Sequence, residues 1–169
     1  MLTILQLVSV CLTTVALVTS LAHVLELPGK MRLEREAYVT TQSIYYPGFT
    51  IAGFGEILAI VATLALIIAT PRGDPSFRWI MLALIALIAM HGCYWLLTHP
   101  VNSFWLRDQR LEGLGQRFFS AGSVDPAAET TEGDDKLWRR YRDRWEYSHA
   151  IRAIFAVVAF LSLLIALAF

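Results

Sequence analysis

The chain has 169 residues, 56% of them hydrophobic, with 14 basic and 14 acidic side chains. Soluble domains are usually about 45–50% apolar, so the excess points to a bilayer, and a net charge of zero leaves no basic field to recruit nucleic acid. Cys11 and Cys93 both lie in apolar runs without a CxxC spacing, which argues against a disulfide framework and reads as two buried free thiols.

A membrane-spanning helix needs about 20 mostly apolar residues, and four runs qualify. The first covers about 2–25. It lacks a basic leader and is too long for a signal-peptide core, so it is read as a helix. Gln6, Thr13 and Ser20 recur at sevens along it, followed by His23 and Glu26. An amphipathic segment over about 30–46 follows, with Arg32 to Tyr38 as a short interfacial helix and Tyr45-Tyr46-Pro47-Gly48 at interface depth. The second run, about 49–70, carries Glu56, Thr63 and Thr70 at sevens. Pro71-Arg72-Gly73-Asp74-Pro75 ends it in a tight turn, which makes the third run, about 77–97, its antiparallel neighbour.

The third run holds His91 and Trp95 four residues apart and leads into His99-Pro100-Val101-Asn102, where the proline is expected to stop the helix. A second amphipathic segment, about 103–119, presents Phe104, Leu111, Leu114 and Phe118 among charges. Residues 120–135 have the small, polar, acidic composition of a flexible connection. Trp138, Tyr141, Trp145 and His149 then repeat at threes and fours and run without a breaker into the fourth apolar stretch, so one helix is expected over about 135–169. The expectation is a single membrane domain over 1–169: an all-α, integral membrane four-helix bundle.

Loop charge orients it. The first connection carries Lys30, Arg32 and Arg35, and the third carries eight basic residues from Arg107 to Arg144, against Arg72 and Arg78 on the opposite side. Both long connections are therefore placed in the cytoplasm and both termini outside, in a bacterial inner (plasma) membrane, with the fourth helix extended into the cytoplasm.

This topology brings His23, Glu26, Glu56, His91, His99, His149 and Arg152 to one membrane face, with Glu56 and His91 roughly 10 Å inside the boundary. Ionisable groups at that depth are costly, which makes this histidine cluster the candidate site. Two chemistries fit. Metal ligation draws on His23, Glu26, Glu56, His91 and His149, the residue types of carboxylate–histidine sites in bundles. His91 and His99, about 12 Å apart along a regular helix, cannot share one ion. Alternatively, His91 and a buried carboxylate take a proton from a phenolic or enolic substrate while Arg152 or Asn102 holds the oxyanion. The cofactor is left open: none, or a metal such as iron or copper, with no spacing that selects haem. Structural readings stand beside these. Glu56 serves equally as a protonated helix–helix contact, Arg152 as a snorkelling cation, and the tryptophans as packing.

Ala22-His23 with Leu27-Pro28-Gly29-Lys30, then His99-Pro100-Val101-Asn102 with Trp105, then Trp145-x-x-x-His149-x-x-Arg152, resemble the anthrone oxygenase-like family of small integral membrane proteins, a domain of unknown function in most members. The resemblance implies a four-helix membrane protein and, for a few members, oxidation of a polycyclic anthrone to a quinone by dioxygen without a classical cofactor. It implies a pocket lined by His99, Asn102, Trp145, His149 and Arg152. His91, as the acid–base group, with His99, Asn102, His149 and Arg152 are the candidate catalytic residues, and Trp95, Trp105 and Trp145 are the candidate substrate-binding residues.

The reading is therefore a membrane-embedded oxidoreductase, an oxygenase acting on a lipophilic aromatic or quinone-like substrate at a His/Glu/Arg pocket near the cytoplasmic face. Its expected partners are the bilayer and a lipophilic small molecule. The alternative is a non-catalytic membrane subunit, or a small-molecule or metal-binding membrane protein, that works as a homo-oligomer or beside a membrane partner subunit. The orientation is tested by reporter fusions: a C-terminal alkaline phosphatase fusion is expected to be active and a C-terminal green fluorescent protein fusion dark, and the reverse pattern inverts the topology.

Overall fold

A computed structural model of the chain describes residues 2–45, 48–105 and 131–169. Helix α1 spans Leu2–Lys30, α2 Arg35–Gln42, α3 Gly48–Ala69, α4 Phe77–Cys93, α5 His99–Trp105 and α6 Thr131–Ala166. A 3-10 turn, Ser43–Tyr45, follows α2, and a π-helical turn, Tyr94–Thr98, joins α4 to α5. Four helical stretches are long and apolar enough to cross a membrane. The helix α1 packs beside α3 and α6, and α4 packs beside the same two. Consequently α3 and α6 face each other across a four-helix bundle.

The expected amphipathic segment 103–119 and flexible stretch 120–135 lie largely outside the described residues. The expected continuous fourth helix is found, with Thr131–Ala166 unbroken.

Polar stripes face inward, because hydrocarbon cannot solvate them. Thr13, Ser20 and His23 on α1 and Glu56, Thr63 and Thr70 on α3 are all buried. Leu58, Val61, Ile68, Ile85, Ile88 and Ile154 point outward as the lipid-facing surface. Lipid tails are as apolar as leucine, so hydrophobic burial drives helix association weakly here, and close packing and polar links matter more. The half of the bundle towards the α3–α4 turn is dry. Ala59, Leu66, Ala83, Leu87, Ala159 and Leu163 form its core, with alanines letting the backbones approach. At Gly55, a Cβ would meet Val15 Cγ1 at 3.2 Å, so glycine here sets the α1–α3 approach. In the α3–α4 turn, Asp74 Oδ1 accepts from Ser76 N and Ser76 Oγ at 2.8 and 2.7 Å. Those bonds hold its carboxyl below the usual range.

Three expectations are corrected. Pro100 does not stop the chain's helical course. The π turn absorbs it, and Arg144 donates from Nη2 to Leu96 O at 2.8 Å and from Nε to Leu97 O at 3.2 Å. A guanidinium from α6 thus serves carbonyls next to a residue that has no N–H to give. The helix α1 continues past Leu25 through Pro28, because Lys30 is not a free loop charge. Its Nζ lies 2.9 Å from Glu146 Oε2 and 3.6 Å from Glu26 Oε2, and it sits over the Trp145 ring. Finally, the thiols are not buried: Cys11 is exposed and Cys93 half-buried.

The opposite end of the bundle is closed by aromatics. Tyr38, Tyr45, Val101, Trp138 and Trp145 form a second core. The helix α2 is tied down by Tyr38, whose hydroxyl donates to Glu146 Oε1 at 2.8 Å. Burial, and then the Glu146 carboxylate beside it, hold the Tyr38 phenol well above its usual range. Substituting Glu146→Ala strands the Tyr38 hydroxyl and leaves Lys30 only the more distant Glu26 carboxylate at 3.6 Å, a loss of up to about 3 kcal/mol for a buried cation. A clear fall in thermal midpoint in detergent is expected, with Glu146→Gln, which retains an acceptor for Tyr38, losing less.

Candidate functional site

Between the dry core and the aromatic cap lies a cavity of about 80 Å³. Its walls include His23 and Ser20 from α1, Glu56 and Gly53 from α3, His91 from α4, Tyr94 and Thr98 from the π turn, Asn102 from α5, and Trp145, His149 and Arg152 from α6. The 3-10 turn adds Tyr45.

Glu56 organises the polar side. Its Oε2 accepts from Arg152 Nη2 at 2.6 Å and its Oε1 from His91 Nδ1 at 3.1 Å. This ion pair spans the bundle from α6 to α3, so Arg152 points inward and does not snorkel. The network assigns the histidine tautomers. Trp95 Nε1–H donates to His91 Nε2 at 2.9 Å, so that nitrogen carries the lone pair and Nδ1 carries the proton given to Glu56. Arg152 Nη1 lies 3.2 Å from His149 Nδ1, which must therefore accept, leaving the His149 proton on Nε2. His149 Nε2 and Arg152 Nε are buried donors with no hydrogen-bond partner among the described residues. Buried donors are normally satisfied, so two orphans on residues lining one cavity suit a ligand that accepts.

The other side is aromatic. The His23 ring centroid is 4.0 Å from that of His149, 4.7 Å from those of Tyr45 and Phe49, and 5.0 Å from that of Trp145. Asn102 orients this wall: its Oδ1 accepts from Trp145 Nε1 at 2.9 Å. Tyr45 donates to Glu26 Oε2 at the rim. Burial, and then that bond, hold the Tyr45 phenol well above its usual range.

Most of the residues expected at the site are brought together: His91, Asn102, His149, Arg152 and Trp145 line the cavity, with His23 and Glu56. His99 is buried but is not one of the lining residues. It stacks on Trp95 with ring centroids 4.7 Å apart. Trp95 also lies outside the lining and reaches the site through His91. The Trp105 side chain falls outside the described residues.

Four of the five candidate metal ligands, His23, Glu56, His91 and His149, line the cavity, and Glu26 does not. Among the described residues no group of three or more His, Cys, Asp or Glu side chains is placed to hold an ion. Arg152 occupies the position against Glu56 that a cation would need, and Glu26 faces Lys30 and Tyr45 at the rim. Sequence reasoning missed Tyr94, Lys30 and Glu146. The i, i+4 spacing of Glu26 and Lys30, and the position of Glu146 three residues before His149, were the available signals.

A family model described as anthrone oxygenase matches residues 41–162. That is well over half of the chain and includes every cavity residue except those on α1. The chain therefore belongs to the anthrone oxygenase family. No match is found among curated proteins or among solved structures.

The Glu56–Arg152 coupling is tested by a double-mutant cycle on thermal stability. Glu56→Ala and Arg152→Ala are each expected to cost about 3 kcal/mol by stranding a buried charge. The double variant should lose about 2 kcal/mol less than the sum. Additive losses would mean that the two side chains do not share one interaction.

Proposed function

We propose, taking membership of the anthrone oxygenase family as the premise, that this protein is a membrane-embedded oxygenase. Its substrate is a lipophilic aromatic with a phenolic or enolisable hydroxyl, drawn from the bilayer. The observation that carries the reading is the pair of orphan donors, His149 Nε2 and Arg152 Nε, on residues that line the same cavity as a carboxylate-oriented histidine. One half of this array binds an oxyanion and the other accepts a proton.

In this reading His91 is the base. Glu56 accepts its Nδ1–H, which fixes the tautomer, directs basicity to Nε2 and stabilises the imidazolium that forms. Loss of the proton leaves an enolate or phenolate, whose oxygen accepts from Arg152 and His149. Donors already in place need no reorganisation as the charge appears. The ring carbon opposite the oxygen is then electron-rich and gives electrons to dioxygen, the oxidant. A C–O bond forms and yields a carbon-bound hydroperoxide once protonated. Loss of the remaining C–H proton breaks the O–O bond and leaves a carbonyl. Overall a CH₂ becomes C=O, one oxygen atom enters the product, and the other leaves as water with the two hydrogens. Trp145, Tyr94 and Phe49 supply aromatic walls for the rings.

The cavity volume constrains the pose. About 80 Å³ is below the roughly 300–1,000 Å³ of typical ligand pockets. Only the reacting ring fits as the site stands, and further rings extend along the α3–α4 seam. We also place this site towards the cytoplasmic side, on the distribution of loop charge.

Turnover of anthrone, followed by quinone absorbance and oxygen uptake, tests the assignment. His91→Ala is expected to lower kcat by about 10²–10⁴-fold. His149→Ala should lower it by about 10²–10³-fold as an oxyanion donor is lost. Both variants should remain folded and membrane-inserted, and unchanged turnover in both would remove these residues from the mechanism.

A further inference from the structure

The proposed reaction needs His91 Nε2 bare, yet the Trp95 indole N–H occupies it at 2.9 Å. Trp95 is 47% exposed and its neighbour Leu96 is 71% exposed, on a helical stretch apolar enough to cross the membrane. Both therefore face lipid. The His91 side chain is itself 27% exposed while lining the cavity and bonding Glu56 of α3. The polar array thus reaches the lipid-facing surface at the α3–α4 seam. A bare ring nitrogen there would have no water to bond, which is costly in hydrocarbon. The indole satisfies it.

Trp95 lies in the π-helical turn Tyr94–Thr98, where the regular α-helical bonding gives way, a feature concentrated at functional sites. His99 stacks on it, with centroids 4.7 Å apart, and gives the ring a defined seat. Release of the indole breaks its hydrogen bond to His91 Nε2, and a ligand that donates an O–H to the same nitrogen restores that bond.

We propose that Trp95 is a lipid-side gate. In the empty site its N–H caps His91. A substrate arriving laterally from the bilayer along the α3–α4 seam replaces the indole with its own aromatic hydroxyl, in a one-for-one exchange of donors. The inference rests on the reading of the cavity given above and deepens it by naming the substrate class and route. The substrate enters as the neutral, protonated arenol, not as a preformed anion. An ether of the same shape cannot open the gate because it has no proton to donate. His99 becomes a positioning residue for Trp95 and has no part in the chemistry.

The test uses the full chain in lipid nanodiscs, with 1-naphthol and 1-methoxynaphthalene as probes and empty nanodiscs as the baseline. Wild type is expected to bind the naphthol more tightly than the ether. Trp95→Phe keeps the ring and loses the N–H. It should bind the naphthol about fivefold more tightly, the equivalent of one competing hydrogen bond, and the ether as before. Trp95→Leu also lacks the N–H and must shift the naphthol in the same direction, which guards against a fault of one variant. His91→Ala should abolish the preference for naphthol. Equal shifts for both probes, or none in either variant, would overturn the gate and leave Trp95 as a packing residue beside His91. If naphthol binds neither wild type nor variants, the cavity reading itself fails, and the gate with it.

Discussion

The ion pair between Glu56 and Arg152 is the constraint on which the rest of the site depends. It joins helices that face each other across the bundle, at 2.6 Å. Neither charge is tolerable alone in hydrocarbon, so each holds the other in place and the facing helices keep their register. Both ends then branch. Glu56 uses its second oxygen to orient His91, and Arg152 uses its second amino group to orient His149. Two imidazoles on different helices thus acquire fixed tautomers from one salt link. The pair is electrically neutral, which lets a polar site persist without a compensating ion.

A second ionic layer seals the end of the first. Lys30 binds Glu146 and lies near Glu26, and Tyr38 and Tyr45 donate to those two carboxylates. This layer fixes α2 and the 3-10 turn over the cavity mouth, so that Tyr45 and Phe49 complete the aromatic wall around His23. The two layers differ in what they leave over. The outer one pairs charge with charge and phenol with carboxylate. The inner one retains unused donors at His149 and Arg152. That difference separates a structural plug from a site that can receive a ligand.

Periodicity made the bundle legible. Stripes of Thr13 and Ser20, and of Glu56, Thr63 and Thr70, face inward as their seven-residue spacing required, since polar groups in a membrane have nowhere else to go. The convergence of His91, His149 and Arg152 followed from topology alone. What could not be read was pairing across helices. Lys30 counts as a loop charge until its partner on α6 is known, and Arg152 counts as a snorkelling cation until Glu56 is seen opposite it. Pro100 failed as a stop signal for the same reason: its compensation comes from Arg144, more than forty residues away. His99 was chosen for its motif, and its stacking on Trp95 became visible only with the π turn in place. Metal ligation was a fair reading of the residue types, but it assumed that carboxylates and histidines sharing a depth would share a centre. In the structure Arg152 takes the place against Glu56.

The chemistry suited to such a site follows from its dielectric. At an effective dielectric of about 20, a unit charge appearing about 4 Å from a guanidinium interacts by about 4 kcal/mol. Glu56 already offsets part of that, so the site does not bind anions strongly in its resting state. Under the proposed function it favours a neutral molecule that becomes an anion inside, with the departing proton assigned to His91 beside Glu56. In that reading the Glu56–Arg152 pair stays as it is, and the unused Arg152 Nε faces the new oxyanion. A substrate that dissolves in lipid as a neutral arenol and is ionised only within the bundle meets both conditions. A preformed anion meets neither, since it would pay its desolvation before any of these donors could reach it.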